Sequence, residues 1–221
     1  PIKSSAASDV YKRQDALVRH LKISLTGAIL AYKMEEKRKA GLTMITEENG
    51  VFHIRTDTYS YLFKIDAYGL AEHLHFGAPV KTRDAGALSC RPGLGWGTGI
   101  LLDPKDTASC PDVLPLEWSG SGRGDYRESP LELAGEPADF RYTGYKIHEG
   151  GVPMACGLPQ AHDARETLEI TLSQPGAELT LFYTAFPTAI VRRTVLTNTG
   201  DKPLRLNKLM SSCVDLPGSY T

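Results

Sequence analysis

The chain has almost no excess charge: 25 basic side chains stand against 26 acidic ones, a formal net charge of -1. Without a basic patch or stripe there is no electrostatic footprint for a phosphate backbone or an anionic membrane, so neither nucleic acid nor membrane is an expected partner. Cysteine is sparse as well. Cys90, Cys110, Cys156 and Cys213 make no Cys-x-x-Cys pair and no zinc-type Cys/His spacing. Four cysteines in 221 residues fall far below the density of a disulfide scaffold. They read as free thiols of a cytoplasmic protein, with a bridge from Cys90 to Cys110 as the alternative. Long hydrophobic runs are missing too. Residues 23–32 are apolar but too few to cross a bilayer as a helix. The charged run Lys33-Met34-Glu35-Glu36-Lys37-Arg38-Lys39 follows them without a small-x-small cleavage pattern. There is no internal repeat, and no convincing amphipathic helix after Gly50.

Residues 1–14, Pro-Ile-Lys-Ser-Ser-Ala-Ala-Ser-Asp-Val-Tyr-Lys-Arg-Gln, resemble a translated cloning or sequencing-adaptor tract, and the chain does not begin with Met. Residues 1–43 are therefore expected to be a non-native or disordered leader, irregular or weakly helical. Met34 or Met44 is the more natural start, and residues 44–221 form the expected domain. Hydrophobic content of 41% and charged content of 23% suffice for one globular core.

From Val51 the pattern has period two. Val51-Phe52-His53-Ile54-Arg55-Thr56 and Tyr59-Ser60-Tyr61-Leu62-Phe63-Lys64-Ile65 are rich in aromatic and β-branched residues, which suit a half-buried pleated surface. Asp66-Ala67-Tyr68-Gly69 turns the chain into a third strand from Leu70 to Phe76. Further strands are predicted at residues 140–148, at 168–172 and, after Gln174-Pro175-Gly176, at 179–183. Residues 190–197 and 204–216 form a final expected pair around Asn198-Thr199-Gly200-Asp201. Strands recurring every ten or so residues favour an all-β fold, a large antiparallel β-sandwich, over a βαβ fold.

Residues 95–130 interrupt this regularity. The stretch is long, without periodicity, and holds both tryptophans, Trp96 and Trp118. A connection of that length carrying aromatics is expected to serve a function rather than to be disordered, directed at something outside the domain. Asp125 and Arg127, two apart and so on one face of an extended segment, could bind a polar ligand together with Arg123. The alternative, and the favoured one, is that Asp125 and Arg127 anchor the loop's return to the sheet.

Other constellations are weaker. His73 and His75 make a His-x-His run that would put two imidazoles on one strand face, as in metal-binding cupins. The carboxylate such a site wants does not follow in Phe76-Gly77-Ala78-Pro79-Val80, so no metal is expected. Glu166 and Glu169 read as outward, solvated positions, while Glu132, Asp112 and Asp215 have no recognisable partner. Gly93-Leu94-Gly95-Trp96-Gly97 lacks the lysine and following helix of a phosphate loop, and Gly120-Ser121-Gly122-Arg123-Gly124 reads as a turn.

Several runs together carry a resemblance. Asp66-Ala67-Tyr68-Gly69-Leu70-Ala71-Glu72-His73-Leu74-His75-Phe76-Gly77, Leu114-Pro115-Leu116-Glu117-Trp118, Gly124-Asp125-Tyr126-Arg127-Glu128-Ser129-Pro130 and Gly157-Leu158-Pro159 are similar to the N-terminal domain of bacterial α-galactosidases of glycoside hydrolase family 36. So are Glu166-Thr167-Leu168-Glu169-Ile170-Thr171-Leu172, Asn198-Thr199-Gly200-Asp201-Lys202-Pro203 and Val214-Asp215-Leu216-Pro217.

The resemblance implies a β-supersandwich that precedes a (β/α)8 catalytic barrel and a small C-terminal β-domain. It implies removal of terminal α-linked galactose with retention, by an aspartate nucleophile and an aspartate acid/base, without a cofactor. The family's nucleophile lies in a Lys-Trp-Asp run of the barrel. No such run occurs here, so no catalytic residue is expected in this chain. Implied partners are an α-galactoside through the parent active site, the chain's own barrel, and further copies, since such enzymes often form tetramers. In those tetramers a loop of this domain reaches a neighbour's active site, and residues 95–130 are the natural candidate. Trp96, whose indole could stack on a galactose ring, and Asp103, whose carboxylate could accept sugar hydroxyls, are the candidate substrate contacts. Core packing for Trp96 and a turn role for Asp103 before Pro104 are the alternatives. A free-standing carbohydrate-binding β-sandwich is the competing reading of the whole chain, and a metal-dependent cupin-like enzyme the third.

Overall fold

A computed structural model describes residues 43–89, 100–121, 125, 127–154 and 159–213. The chain divides between Thr43 and Met44, and all the described strands fall after that point. β1 (Ile45–Glu48), β2 (Val51–Arg55), β3 (Ser60–Ile65) and β4 (Ala71–Gly77) form a meander in the order β1-β2-β3-β4. β6 (Arg141–Glu149), β7 (Glu166–Gln174), β8 (Ala177–Ala185) and β9 (Ile190–Asn198) form a second one, ordered β6-β7-β8-β9. β5 (Leu131–Leu133) and β10 (Leu206–Leu209) make a two-stranded ribbon, and every pairing is antiparallel. Among the described residues no helix is long and apolar enough to cross a membrane.

Alternation explains which face each strand buries. Phe52, Ile54 and Phe63 of the first sheet meet Leu168, Ile170, Leu172, Leu179, Leu181 and Tyr183 of the second, and Leu131 and Leu133 of the ribbon close the same core. Phe63 stacks on Phe52 at 5.0 Å and on Tyr183 at 5.2 Å, so aromatic faces bridge the two sheets. Fully burying side chains of this size contributes about 1.5–3 kcal/mol each. This is the sandwich that the period-two pattern predicts.

Two local signals set the hairpins. β1 and β2 turn through Asn49 and Gly50, both at positive φ (53° and 81°), the conformation that makes Asn-Gly the favoured two-residue hairpin loop. That pair marks β1, a strand the sequence reading began too late to include. At Pro175-Gly176, Gly176 takes φ 79° directly after the proline, as a tight turn requires.

Three expectations change. Residues 204–216 do not pair with β9: β10 leaves the turn and pairs with β5 instead, with Leu206 opposite Leu133 and Leu209 opposite Leu131. The apolar residues of β5 need a partner, and the ribbon places them in the core. Glu166 is not merely solvated, since its Oε2 accepts the backbone N–H groups of Met44 and Ile45 at 2.8 Å each. Glu132, which lacked a partner in the sequence, pairs with Lys208 at 2.7 Å across the ribbon. Glu169 does lie on the outer face of β7, where it accepts from His148 at 2.7 Å.

A smaller cluster lies on the other face of the first sheet, where Leu62 and Leu74 pack under Ala85 of the short helix α1 (Ala85–Leu88). His53 is buried on that face with both ring nitrogens engaged, Nδ1 with Thr82 Oγ1 and Nε2 with Ser60 Oγ, each at 2.9 Å. Burial, and then the nearby charges of Arg55 and His75, lower its pKa to about 4. The folded state therefore resists protonating His53 while the unfolded chain takes up a proton near 6.5. Its contribution is whole above about pH 6.5 and is lost as pH falls towards about 4. In urea titrations across that window, wild type is expected to lose stability steadily, and His53→Gln to show a flatter pH dependence.

Candidate functional site

The site is built by the middle of residues 95–130, the part of this connection that packs within the domain itself. Residues 114–119 turn inward. His73 N–H donates to the Pro115 carbonyl at 2.7 Å and Glu117 N–H to the Ala71 carbonyl at 2.8 Å, while Leu116 bridges Glu72. The segment thus runs as a short extra strand along the free edge of β4. Leu114 and Leu116 pack with Leu70 in one cluster, and Trp118 enters the main core.

Glu117, carried between Leu116 and Trp118, is fully buried. Its Oε1 accepts from Tyr61 Oη and His73 Nδ1, both at 2.7 Å. Its Oε2 accepts from Tyr183 Oη at 2.7 Å and faces Arg192 Nη1 at 3.0 Å. Arg192 Nη2 donates to the Glu117 carbonyl at 2.6 Å, and its guanidinium lies 4.9 Å from the centroid of the Tyr183 ring. Burial alone would push the Glu117 carboxyl up. The Arg192 guanidinium, with the hydrogen bonds of His73 and Tyr183, outweighs that and holds it below the usual carboxylate range. Burial and the adjacent carboxylate in turn raise both tyrosines well above their ordinary value. The carboxylate of this ionic centre is fully engaged, with no proton to give at neutral pH and both oxygens occupied, while His73 Nε2 and Arg192 Nε are buried without a hydrogen-bond partner among the described residues.

Sequence reasoning missed both Glu117 and Arg192. A glutamate between Leu116 and Trp118, and two arginines in the apolar run of β9, are the signals that could have found them. It also placed His73 and His75 on one face, which the structure overturns. β3 and β4 are out of step between Leu62 and Phe63: Phe63 faces His73 but Leu62 faces His75, so β4 carries one extra residue there. His73 consequently joins Glu117, while His75 turns to the other side and bonds the Ala78 carbonyl at 2.9 Å.

Of the remaining predicted residues, the described ones lie apart from this centre. Trp96 and Arg123 are outside the described residues, as are Cys90, Cys156 and Asp215; Cys110 and Cys213 are free thiols. Asp103 closes a local turn, its Oδ1 accepting Lys105 N–H at 2.8 Å and its carbonyl accepting Asp106 N–H at 3.0 Å. Asp125 and Arg127 meet in a two-pronged ion pair, Nε to Oδ1 and Nη2 to Oδ2 both at 2.9 Å. Arg127 also donates to the Leu114 carbonyl at 2.6 Å and the Pro111 carbonyl at 2.8 Å.

An antiparallel sandwich whose polar centre is consumed by its own packing defines the class: a β-sandwich domain in which buried charge is structural. The chain belongs to glycosyl hydrolase family 36, whose N-terminal domain matches residues 69–221. It is 32% identical over 178 residues to α-galactosidase AgaA of Geobacillus stearothermophilus, covering 75% of this chain and 24% of that protein. It is 31% identical over 189 residues to α-galactosidase Mel36A of Lactobacillus acidophilus, covering 80% and 25%. The chain therefore spans about a quarter of the length of these relatives. Among solved structures, AgaB of Geobacillus stearothermophilus superposes with a TM-score of 0.67 at 28% identity, over 79% of this chain and 25% of that one. An AgaA variant solved in complex with raffinose gives 0.67 at 30%, over 76% and 24%.

Removing one partner of a buried ion pair leaves the other uncompensated, at a cost of about 3–5 kcal/mol. Glu117→Gln and Arg192→Gln are each expected to lower unfolding stability on that scale. The double variant should lose clearly less than the sum, as denaturant titrations of the four proteins would measure.

Proposed function

We propose that residues 44–221 are the N-terminal domain of an α-galactosidase that hydrolyses terminal α-linked galactose with retention, and that the domain supports a catalytic barrel and shapes the active site across subunits. The observation that carries this reading is the match of residues 69–221 to the family's N-terminal domain, together with the superposition on an AgaA variant holding raffinose and another holding stachyose. Raffinose-type galactosides are the substrate class. The proposed partners are the barrel of the same polypeptide and further copies of it.

Within that reading, residues 95–130 reach the sugar. Asp125 and Arg127 anchor the loop where it returns: their ion pair and the two carbonyls held by Arg127 tie residues 111, 114, 125 and 127 together. Trp96 is the proposed stacking surface, and Asp103 a hydrogen-bonding carboxylate whose Oδ2 is left over from the turn that engages Oδ1.

The polypeptide of the complete reading frame is expected to release galactose from raffinose with retained anomeric configuration, read by nuclear magnetic resonance of the first-formed product. No hydrolysis would overturn the reading, and galactoside binding without hydrolysis would replace it with a carbohydrate-binding module. In that polypeptide Trp96→Ala should raise KM roughly two- to tenfold, the scale of an aromatic contact worth about 0.5–1.5 kcal/mol. An unchanged KM would remove Trp96 from the site.

A further inference from the structure

The turn between β1 and β2 is the one place in the chain where a side-chain amide precedes a glycine. Asparagine occurs at Asn49, Asn198 and Asn207, and only Asn49 has glycine after it. Glycine offers its backbone nitrogen to a neighbouring amide carbon with no side chain in the way. A Cβ built on Gly50 would meet nothing closer than the Ile65 carbonyl oxygen at 3.5 Å, so the surroundings leave room as well. Asn49 is exposed, and no hydrogen bond holds its side-chain amide among the described residues. Asn198, by contrast, is tied on both sides, Nδ2 donating to the Lys202 carbonyl at 2.8 Å and Oδ1 accepting Gly200 N–H at 3.0 Å.

Backbone geometry holds the Asn49-Gly50 pair short of reaction. Glu48 and Val51 pair across the hairpin, so the loop is two residues long, and φ values of 53° and 81° make it a type I′ turn. In such a turn ψ of the first loop residue is about +30°, which sets the Asn49 Cβ and the Gly50 nitrogen on opposite sides of the Cα–C bond. A five-membered ring needs them on the same side. The other two-residue hairpin turn, type II′, supplies that arrangement, with φ of the same sign and ψ about −120°. Flipping the Asn49–Gly50 peptide plane converts one turn into the other while the hairpin persists, and Gly50 accepts either sign of φ. Glu47 resists the flip. Its Oε1 accepts Gly50 N–H at 2.7 Å and its Oε2 accepts from Tyr145 Oη at 3.1 Å, and a flipped peptide carries that N–H away from the carboxylate.

We infer that Asn49 is a site of spontaneous deamidation and that the Glu47 carboxylate is the latch that sets its rate. In the flipped turn the Gly50 nitrogen attacks Asn49 Cγ. The N–Cγ bond forms as that nitrogen gives its proton to solvent, and the Cγ–Nδ2 bond breaks as the leaving nitrogen takes a proton from solvent and departs as ammonia. Water then opens the imide ring at either carbonyl, leaving aspartate or isoaspartate at position 49. Isoaspartate puts one more carbon into the backbone. A two-residue turn has no place for it, so the pairing of Glu48 with Val51 and of Ile45 with Ile54 is lost, and Ile45 leaves the main core. The reaction is a slow covalent release of β1.

Peptide mass spectrometry on the full chain, with electron-transfer fragmentation to tell isoaspartate from aspartate, follows the reaction during incubation in neutral buffer. Product should accumulate at Asn49 in the folded chain, at least about tenfold more slowly than in the same chain unfolded in guanidinium chloride, because the flipped conformation is a sparsely populated one for a residue other than glycine. Glu47→Ala should raise the folded rate roughly fivefold, the factor carried by one hydrogen bond, and leave the unfolded rate unchanged. Tyr145→Phe, which frees one oxygen of the latch, should raise it less. Equal rates in the folded and unfolded chains, or product in the unfolded chain alone, would overturn the inference. So would an unchanged or slower rate in Glu47→Ala, since a slower one would make the carboxylate a base for the attack, and so would a matching rise at Asn198, the sign of general loosening. In hydrogen exchange the isoaspartyl fraction should lose protection over residues 45–51; protection retained there would overturn the release of β1.

Discussion

A carboxylate with no access to water is the constraint around which the sandwich is arranged. Burying an unpaired charge is costly enough that such a group normally neutralises instead. Glu117 stays ionised because two hydroxyls, an imidazole and a guanidinium converge on its two oxygens. Each of these donors fixes a register. Tyr61 must face the core from β3, Tyr183 from β8, and Arg192 directly across from Tyr183 on β9. The extra residue in β4 belongs to the same requirement, since it lets His73 face Glu117 while Phe76 still lies opposite Tyr61. The ion pair is thus better understood as a specification of strand pairing than as a source of net stability, because hydrophobic replacements of such pairs are often neutral or better.

The same centre organises what surrounds it. By pulling residues 114–119 against β4 it divides the long connection into two limbs, and the Asp125 and Arg127 pair closes the second limb onto residues 111 and 114. On its other side Arg192 carries the centre out to the edge of β9. One arginine therefore links the core to the last strand of the second sheet, and the inner part of the loop is tied to that strand through it.

Much of the fold was legible because it rests on short-range pattern. Leu168, Ile170 and Leu172 alternate, Pro175-Gly176 turns, and Leu179, Leu181 and Tyr183 resume the apolar face; local chemistry alone determines that hairpin. β5 was not legible, since a strand of three residues leaves too little alternation to read, and β10, expected within residues 204–216, was given the wrong partner because its pairing with β5 spans more than seventy intervening positions. The site was hidden for a related reason. Glu117 looks like an ordinary loop acid until its donors are in place, and those come from positions 44 to 75 residues away. His73 was misplaced because a bulge shifts a face without leaving any mark in residue type. Asp125 and Arg127 were readable because an arginine two residues from an aspartate needs no tertiary information to meet it.

The spread of those donors along the chain bears on how the domain forms. Tyr61 and His73 come from the first part of the described sequence and Tyr183 and Arg192 from the last, with Glu117 between them, and an ionised carboxylate stays hydrated until all its donors have arrived. A partly assembled sandwich has no favourable way to exclude water from its centre, so the two meanders gain little from docking one at a time. The closing step brings together distant stretches, the circumstance in which folding is slow and collective. On the ribosome such a domain must wait for Arg192 to emerge before its core can dry.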